Sequence, residues 1–203
     1  MYTHTPFDPL HVIDLGWVRH LWAAYLTTFN QATKDCIAAA WASFSYSGLK
    51  HRTSRCIIRQ HAQFEASEWR AFPEICAALL FIGQVTEDMV ALCESLCDLV
   101  KASVSRKITQ PLLDSFPVLV VSFFEKFEAI PFTVKVRAQF LRRYKTHFML
   151  HVAEDLKRFG PAVFFCVSTF ESIHRELREV FRRIKNKRML GLVSPKRVLS
   201  MDG

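Results

Sequence analysis

Glu171 is the residue whose type and setting most invite a chemical reading. It follows Ser168 by three positions and heads a helical stripe that continues as Arg175, Arg178, Arg182 and Lys185. The opposite stripe, Ile173, Leu177, Val180 and Ile184, recurs at the spacing of one apolar helix face. An acid therefore stands at the head of a row of solvent-facing cations. It is either a catalytic carboxylate or a helix cap. Ser168-x-x-Glu171 is a capping box, in which the Ser oxygen takes an amide hydrogen and the Glu reaches back to the Ser amide. Glu171 and Arg175 also form an ordinary i, i+4 pair. Spacing alone thus accounts for the acid without chemistry.

His147 and His151 stand one helical turn apart, as do Cys93 and Cys97. Together they make a conceivable metal site. Zinc signatures pair their ligands more tightly, however, and the two cysteines fall inside an apolar pattern, so no metal is expected here. The bland reading of the histidines is one packed and one facing solvent. There is no Gly-rich phosphate loop, no GxSxG and no Cys/His nucleophile pair with an orienting partner, which leaves no basis for a nucleotide-binding fold or a hydrolase. The basic run Lys185-Asn186-Lys187-Arg188, then Ser194-Pro195-Lys196-Arg197, suits a nuclear address or a groove contact, but such short matches are common and an unstructured end is the favoured reading.

The elements that must position these residues are helical. Half of the 203 residues are hydrophobic, with 18 Phe and 6 Gly, a packing composition poor in the turn glycines that sheets need. The formal charge is +8. Residues 137–188 hold 13 Lys/Arg against 5 Asp/Glu, so the whole excess lies there, and Arg142 and Arg143 widen the cationic surface. A focused basic surface suits a polyanion such as DNA. Six Cys without a CxxC pair read as reduced thiols in an intracellular protein. The polar start carries no signal peptide, and no apolar run has the length of a membrane span.

In order, Asp8-Pro9 predicts a helix start, and Val18, Leu21, Trp22, Tyr25, Leu26 and Phe29 form its apolar side. A second helix carries Ile37, Ala40, Trp41 and Phe44 up to Ser47-Gly48. Residues 64–82 read as helix broken or kinked at Pro73. Thr86-Glu87-Asp88 starts a helix with Val85, Met89, Leu92, Leu96 and Leu99 on its seam. Residues 115–130, apolar nearly all round at Val118–Val121, predict a central core helix. Residues 147–159 predict one helix ended by Gly160-Pro161, and 162–167 is the one place for a strand. The expectation is a mainly α single domain of about seven to nine helices over 1–188, with a loose basic tail at 189–203.

The stretch from Lys145 to His174 resembles the C-terminal part of transposase-derived proteins abundant in mushroom-forming fungi, which belong with the CACTA-type cut-and-paste transposases. The likeness rests on Lys145, His147 and His151, on Arg158-Phe159-Gly160-Pro161, and on Phe170-Glu171-Ser172. Asp8-Pro9-Leu10-His11 resembles the Asp-x-x-His signature of the wider superfamily, and Leu15 to Trp22 and Trp69 to Pro73 are similar more loosely. The resemblance implies a ribonuclease-H-like core in which two Asp and one Glu bind two divalent ions, Mg2+ or Mn2+, for DNA strand transfer. Glu171 matches the final acid, Asp8 and His11 match the signature, and the helical block between them is an insertion. The two Asp-bearing strands are expected upstream of Asp8, outside this chain. The tail departs from the family pattern, and His174 replaces its usual Asn. The expected protein is a truncated or degenerate transposase-like module, inactive alone, needing no cofactor alone, that binds DNA non-specifically through Arg142, Arg143, Arg175, Arg178, Arg182 and Lys185. The alternative is a helical protein–protein interaction module that self-associates or captures a partner.

Overall fold

Asp8 opens the first helix in both of its polar parts. Its carbonyl accepts the Val12 N–H at 2.9 Å and its carboxylate accepts the His11 N–H at 3.2 Å. The computed structural model describes residues 6–43, 55–167, 173, 176 and 177. Leu10–Val18 is wound as a π-helix and continues into α1 (Arg19–Leu26). Such wide winding is rare and concentrates near functional positions. Seven of its nine residues are buried, so this segment is surrounded by protein rather than laid on a surface.

The remaining helices are α2 (Gln31–Ser43), α3 (Ala66–Ala71), α4 (Pro73–Ile82), α5 (Glu87–Ser103), α6 (Gln110–Ala129), α7 (Val134–Leu141), α8 (Tyr144–His147) and α9 (Val152–Phe159). Pro73 sits at the first position of α4, where its missing N–H costs nothing. A capping box at Glu65 and Glu68 starts α3. Thr109 and Thr133 accept the N–H groups of Leu112 and Val136 and so start α6 and α7. Gly160, at φ +81°, ends α9 in a conformation that favours glycine. The π segment packs on α1, α3 and α8, and α5 lies between α4 and α6.

Aromatic residues supply much of the core. Trp22, Tyr25, Phe29, Trp41, Phe64, Trp69 and Phe72 meet around α1, α2 and α3, and Phe123, Phe127, Phe132 and Phe140 meet around α6 and α7. Tyr25 and Phe132, with ring centroids 6.1 Å apart, join the two groups. Three of the four tryptophans also act as ties. Trp17 Nε1 donates to the Lys145 carbonyl at 2.6 Å, Trp22 to Ile57 at 3.1 Å and Trp41 to Arg55 at 2.9 Å. The Trp69 indole N–H is buried without a hydrogen-bond partner.

The mainly α reading holds: among the described residues there are nine α-helices and no strand. The segment 162–167, the one place allowed a strand, holds a 3-10 turn, Ala162–Phe164, because Pro161 and the positive φ of Gly160 deliver the chain into a tight turn and no strand to pair with lies among the described residues. Helix 147–159 is interrupted by a 3-10 turn at Phe148–Leu150. The central-core reading of Val118–Val121 fails. Val118 and Val121 are 68% and 55% exposed, and α6 buries Phe116, Val120, Phe123 and Phe127 instead. Bulky Phe at the spacing of one face outcompetes valine for the interior. The chain divides into two compact units, Met1–Cys166 and Val167–Gly203. In the second, Ile173, Glu176 and Leu177 are helical. The expected boundary at 188 lies outside the described residues.

Candidate functional site

A cleft of about 580 Å³ opens between the first helix, the 3-10 turn His61–Gln63 and the start of α8. Leu15, Arg19 and Ala23 form its floor at i, i+4 and i+8, and His20 lies beside them. His61 and Ala62 form one wall, and Arg143, Tyr144 and Lys145 form the other. Five of these nine residues are basic in type and none is a carboxylate.

Local structure fixes the second wall. Arg143 is the extended residue that leads into α8, and Thr146 is buried with its hydroxyl donating to the Phe140 carbonyl at 2.8 Å. The Trp17 tie holds the Lys145 backbone against the π segment. Gly16 makes that approach possible: a Cβ there would sit 3.0 Å from Lys145 Cδ and 3.1 Å from the His11 carbonyl oxygen. Lys145 Nζ reaches the Leu15 carbonyl at 3.4 Å.

The charges in the cleft repel one another. Burial, then the neighbouring Arg143, Lys145 and Arg19, push the His20 imidazole down to about 4. His20 is thus neutral at pH 7, and its Nε2 lies 3.1 Å from Arg143 Nη1, placed to accept that guanidinium's hydrogen. Burial first, then Arg19 and Arg143, lower the Lys145 ammonium, with Asp8 opposing. Cations gathered without an acid among them suit an anion, because a bound anion would relieve repulsion that folding has already imposed.

The π segment carries the opposite arrangement at Asp14. Arg70 holds its Oδ2 through Nε at 3.0 Å and Nη2 at 2.8 Å. Burial nevertheless outweighs Arg70, and with a small push from Asp8 it lifts the Asp14 carboxyl to about 7. For Arg70 the balance differs. Its own burial works against its charge, but Asp14 and Cys166 together outweigh that and raise the guanidinium. The asymmetry follows from exposure, 4% for the Asp14 side chain and 50% for Arg70.

Of the residues singled out from sequence, Asp8 and His11 come together, with His11 Nδ1 2.5 Å from Asp8 Oδ2. Their bonds close the turn that starts the helix. Arg143 lines the cleft, and Arg142 is exposed at the end of α7 and does not. Glu171, Arg175, Arg178, Arg182 and Lys185 lie outside the described residues, so their site reading is neither met nor refuted. Cys93 and Cys97 are buried in α5 while His147 and His151 are both exposed, so the four do not meet, and neither histidine is packed. Among the described residues, no group of three or more His, Cys, Asp or Glu could hold a metal. The Mg2+ or Mn2+ pair that the resemblance implies therefore has no fit there: Asp8 is engaged by His11, and Asp14 is buried against Arg70.

No family model, curated protein or solved structure matches this chain. Sequence reading missed Arg19, His20 and His61 as cleft residues and gave Lys145 no binding role. The signal was the polar side of the first helix, at 19, 20 and 23, opposite the apolar stripe. What that side faces is set by contacts more than a hundred residues away in sequence, such as His20 with Arg143.

Proposed function

We propose that this chain is a transposase-derived helical module that grips nucleic-acid phosphates, without sequence preference, through the cleft between the first helix and Arg143–Lys145. The carrying observation is a cleft that gathers Arg19, His20, His61, Arg143 and Lys145 with no lining carboxylate. The resemblance at Lys145–His174 and Asp8–His11 supports the transposase origin. The basic stripe from Arg175 to Lys185 is a separate candidate for phosphate contact, and the run from Lys185 to Arg197 would suit nuclear residence. No role in strand transfer is assigned to Asp8, which His11 engages, or to Asp14, which Arg70 holds. No described helix is long and apolar enough to cross a membrane.

Phosphate contacts release counterions, so about three contacts would weaken duplex binding roughly 40-fold between 50 and 200 mM salt. Fluorescence anisotropy with an arbitrary labelled duplex tests this. Affinity that ignores salt, or no binding at low salt, removes the reading.

A second reading rests on apolar surface. Phe81 at 78%, Val118 at 68% and Val121 at 55% exposure are large hydrophobics left facing out. They suit self-association. Light scattering that shows a dimer unaffected by competitor DNA would favour this reading over the first.

A further inference from the structure

His147 and His151 are an exposed pair of ligating side chains that the cleft does not use. Their Nε2 atoms lie 3.0 Å apart, with ring centroids at 4.8 Å and planes at 67°. Both residues are exposed, and the backbone beneath them is anchored by buried Thr146, Met149 and Val152. His147 ends α8, the 3-10 turn Phe148–Leu150 follows, and His151 leads into α9. The two rings are thus held side by side before any ligand arrives.

We propose that His147 and His151 form a two-nitrogen site for a tetragonal divalent ion of the nickel or copper(II) class. The ligands decide the class, since the affinity of nitrogen donors for first-row divalent ions climbs through nickel to a maximum at copper(II). With metal–nitrogen bonds of about 2.0–2.1 Å, two nitrogens 3.0 Å apart subtend roughly 90–97° at the ion. That is the angle of neighbouring ligands in square-planar or octahedral coordination. At 3.0 Å one Nε2–H donates to the other ring's Nε2. Metal binding replaces that bond: the donor ring's Nε2 proton moves to its Nδ1, and both Nε2 lone pairs turn to the ion. The remaining coordination positions belong to water or to a partner's ligand. This site is independent of the nucleic-acid reading and differs from the acid-held ions of strand transfer in its ligands.

The test is titration of the full chain with nickel chloride by calorimetry, in the wild type, H147A, H151A and the double variant. One ion should bind the wild type at least about 10-fold more tightly than either single variant, because either one loses the chelate. The double variant should bind no more tightly than the singles, and zinc should bind the wild type more weakly than nickel. A single variant that keeps wild-type affinity, or zinc preferred to nickel, overturns the proposal. Electron paramagnetic resonance of the copper(II) adduct gives a readout that needs no variant. Two equatorial imidazole nitrogens support the site, and one overturns it.

Discussion

Two charged places share the first helix and resolve their charge in opposite ways. On one side, Asp14 is buried and held twice by Arg70, a pair closed within the protein. On the other, Arg19, Arg143 and Lys145 gather around neutral His20 with no lining carboxylate. A buried acid left alone costs several kcal/mol, so a fold supplies its partner. Cations gathered without such a partner are tolerable only because the cleft opens to water, and that opening would suit an anion. The first place therefore reads as structure and the second as a binding site.

The contrast can be broken at several points, and the largest effect is expected at Arg70. Arg70→Ala leaves the Asp14 carboxylate buried without its partner, and should cost about 3 kcal/mol at pH 8, the low end for a broken buried pair because the guanidinium is half exposed. Near pH 5, where Asp14 is protonated in any case, the loss should shrink. Urea unfolding at both values checks this, and an equal loss at both would mean that Arg70 acts through packing alone. Arg143→Ala, by contrast, should leave stability within about 0.5 kcal/mol.

The next effect concerns the tie that builds the cleft wall. Trp17→Phe removes the donor to the Lys145 carbonyl and should cost about 2 kcal/mol, because that acceptor loses its partner. Trp69→Phe removes a buried N–H that has no partner and should cost less than about 1 kcal/mol. Equal losses for the two would show that ring packing, not the bond, carries the Trp17 effect.

A smaller effect separates the two places by pH. Between pH 4 and 6.5 folded Asp14, with its carboxyl near 7, keeps a proton that the unfolded chain has released from a group titrating near 3.8. Its contribution to stability falls as pH rises through that window. Folded His20, near 4, lacks a proton that the unfolded chain holds up to 6.5, so its contribution rises with pH. The two slopes oppose each other in the wild type. Asp14→Asn should unmask a stability that rises with pH across the window, and His20→Gln one that falls. Each change should be roughly 1–2 kcal/mol after solvent screening at the half-buried His20 is allowed for. Guanidinium unfolding midpoints at pH 4.5, 5.5 and 6.5 read both signs.

Much of the helical frame was legible because local rules and burial agreed. The stripe Val18, Leu21, Trp22, Tyr25 and Phe29 is buried as its spacing implied, and Met89, Leu92, Leu96 and Leu99 form the α5 seam. Pro73 and Gly160 end or start helices as their backbone chemistry requires. The errors came where a local rule was outvoted. Apolar composition at Val118–Val121 did not specify a face, since the phenylalanines of the same helix claimed the interior. The π winding of Leu10–Val18 has no composition signal, and it arises in a segment packed on three other helices. The cleft was legible only in half: Arg143 stood in a basic run, but Arg19 and His20 become site residues only when α8 folds back against them.

The direct test of the central claim is the salt dependence of affinity for an arbitrary duplex, compared between the wild type and Arg143→Ala by fluorescence anisotropy. The cleft reading predicts a log–log slope near −2.7 for about three phosphate contacts, reduced in magnitude by about one when Arg143 is removed, with weaker binding at every salt concentration. An Arg143→Ala protein with the wild-type slope and affinity would contradict it.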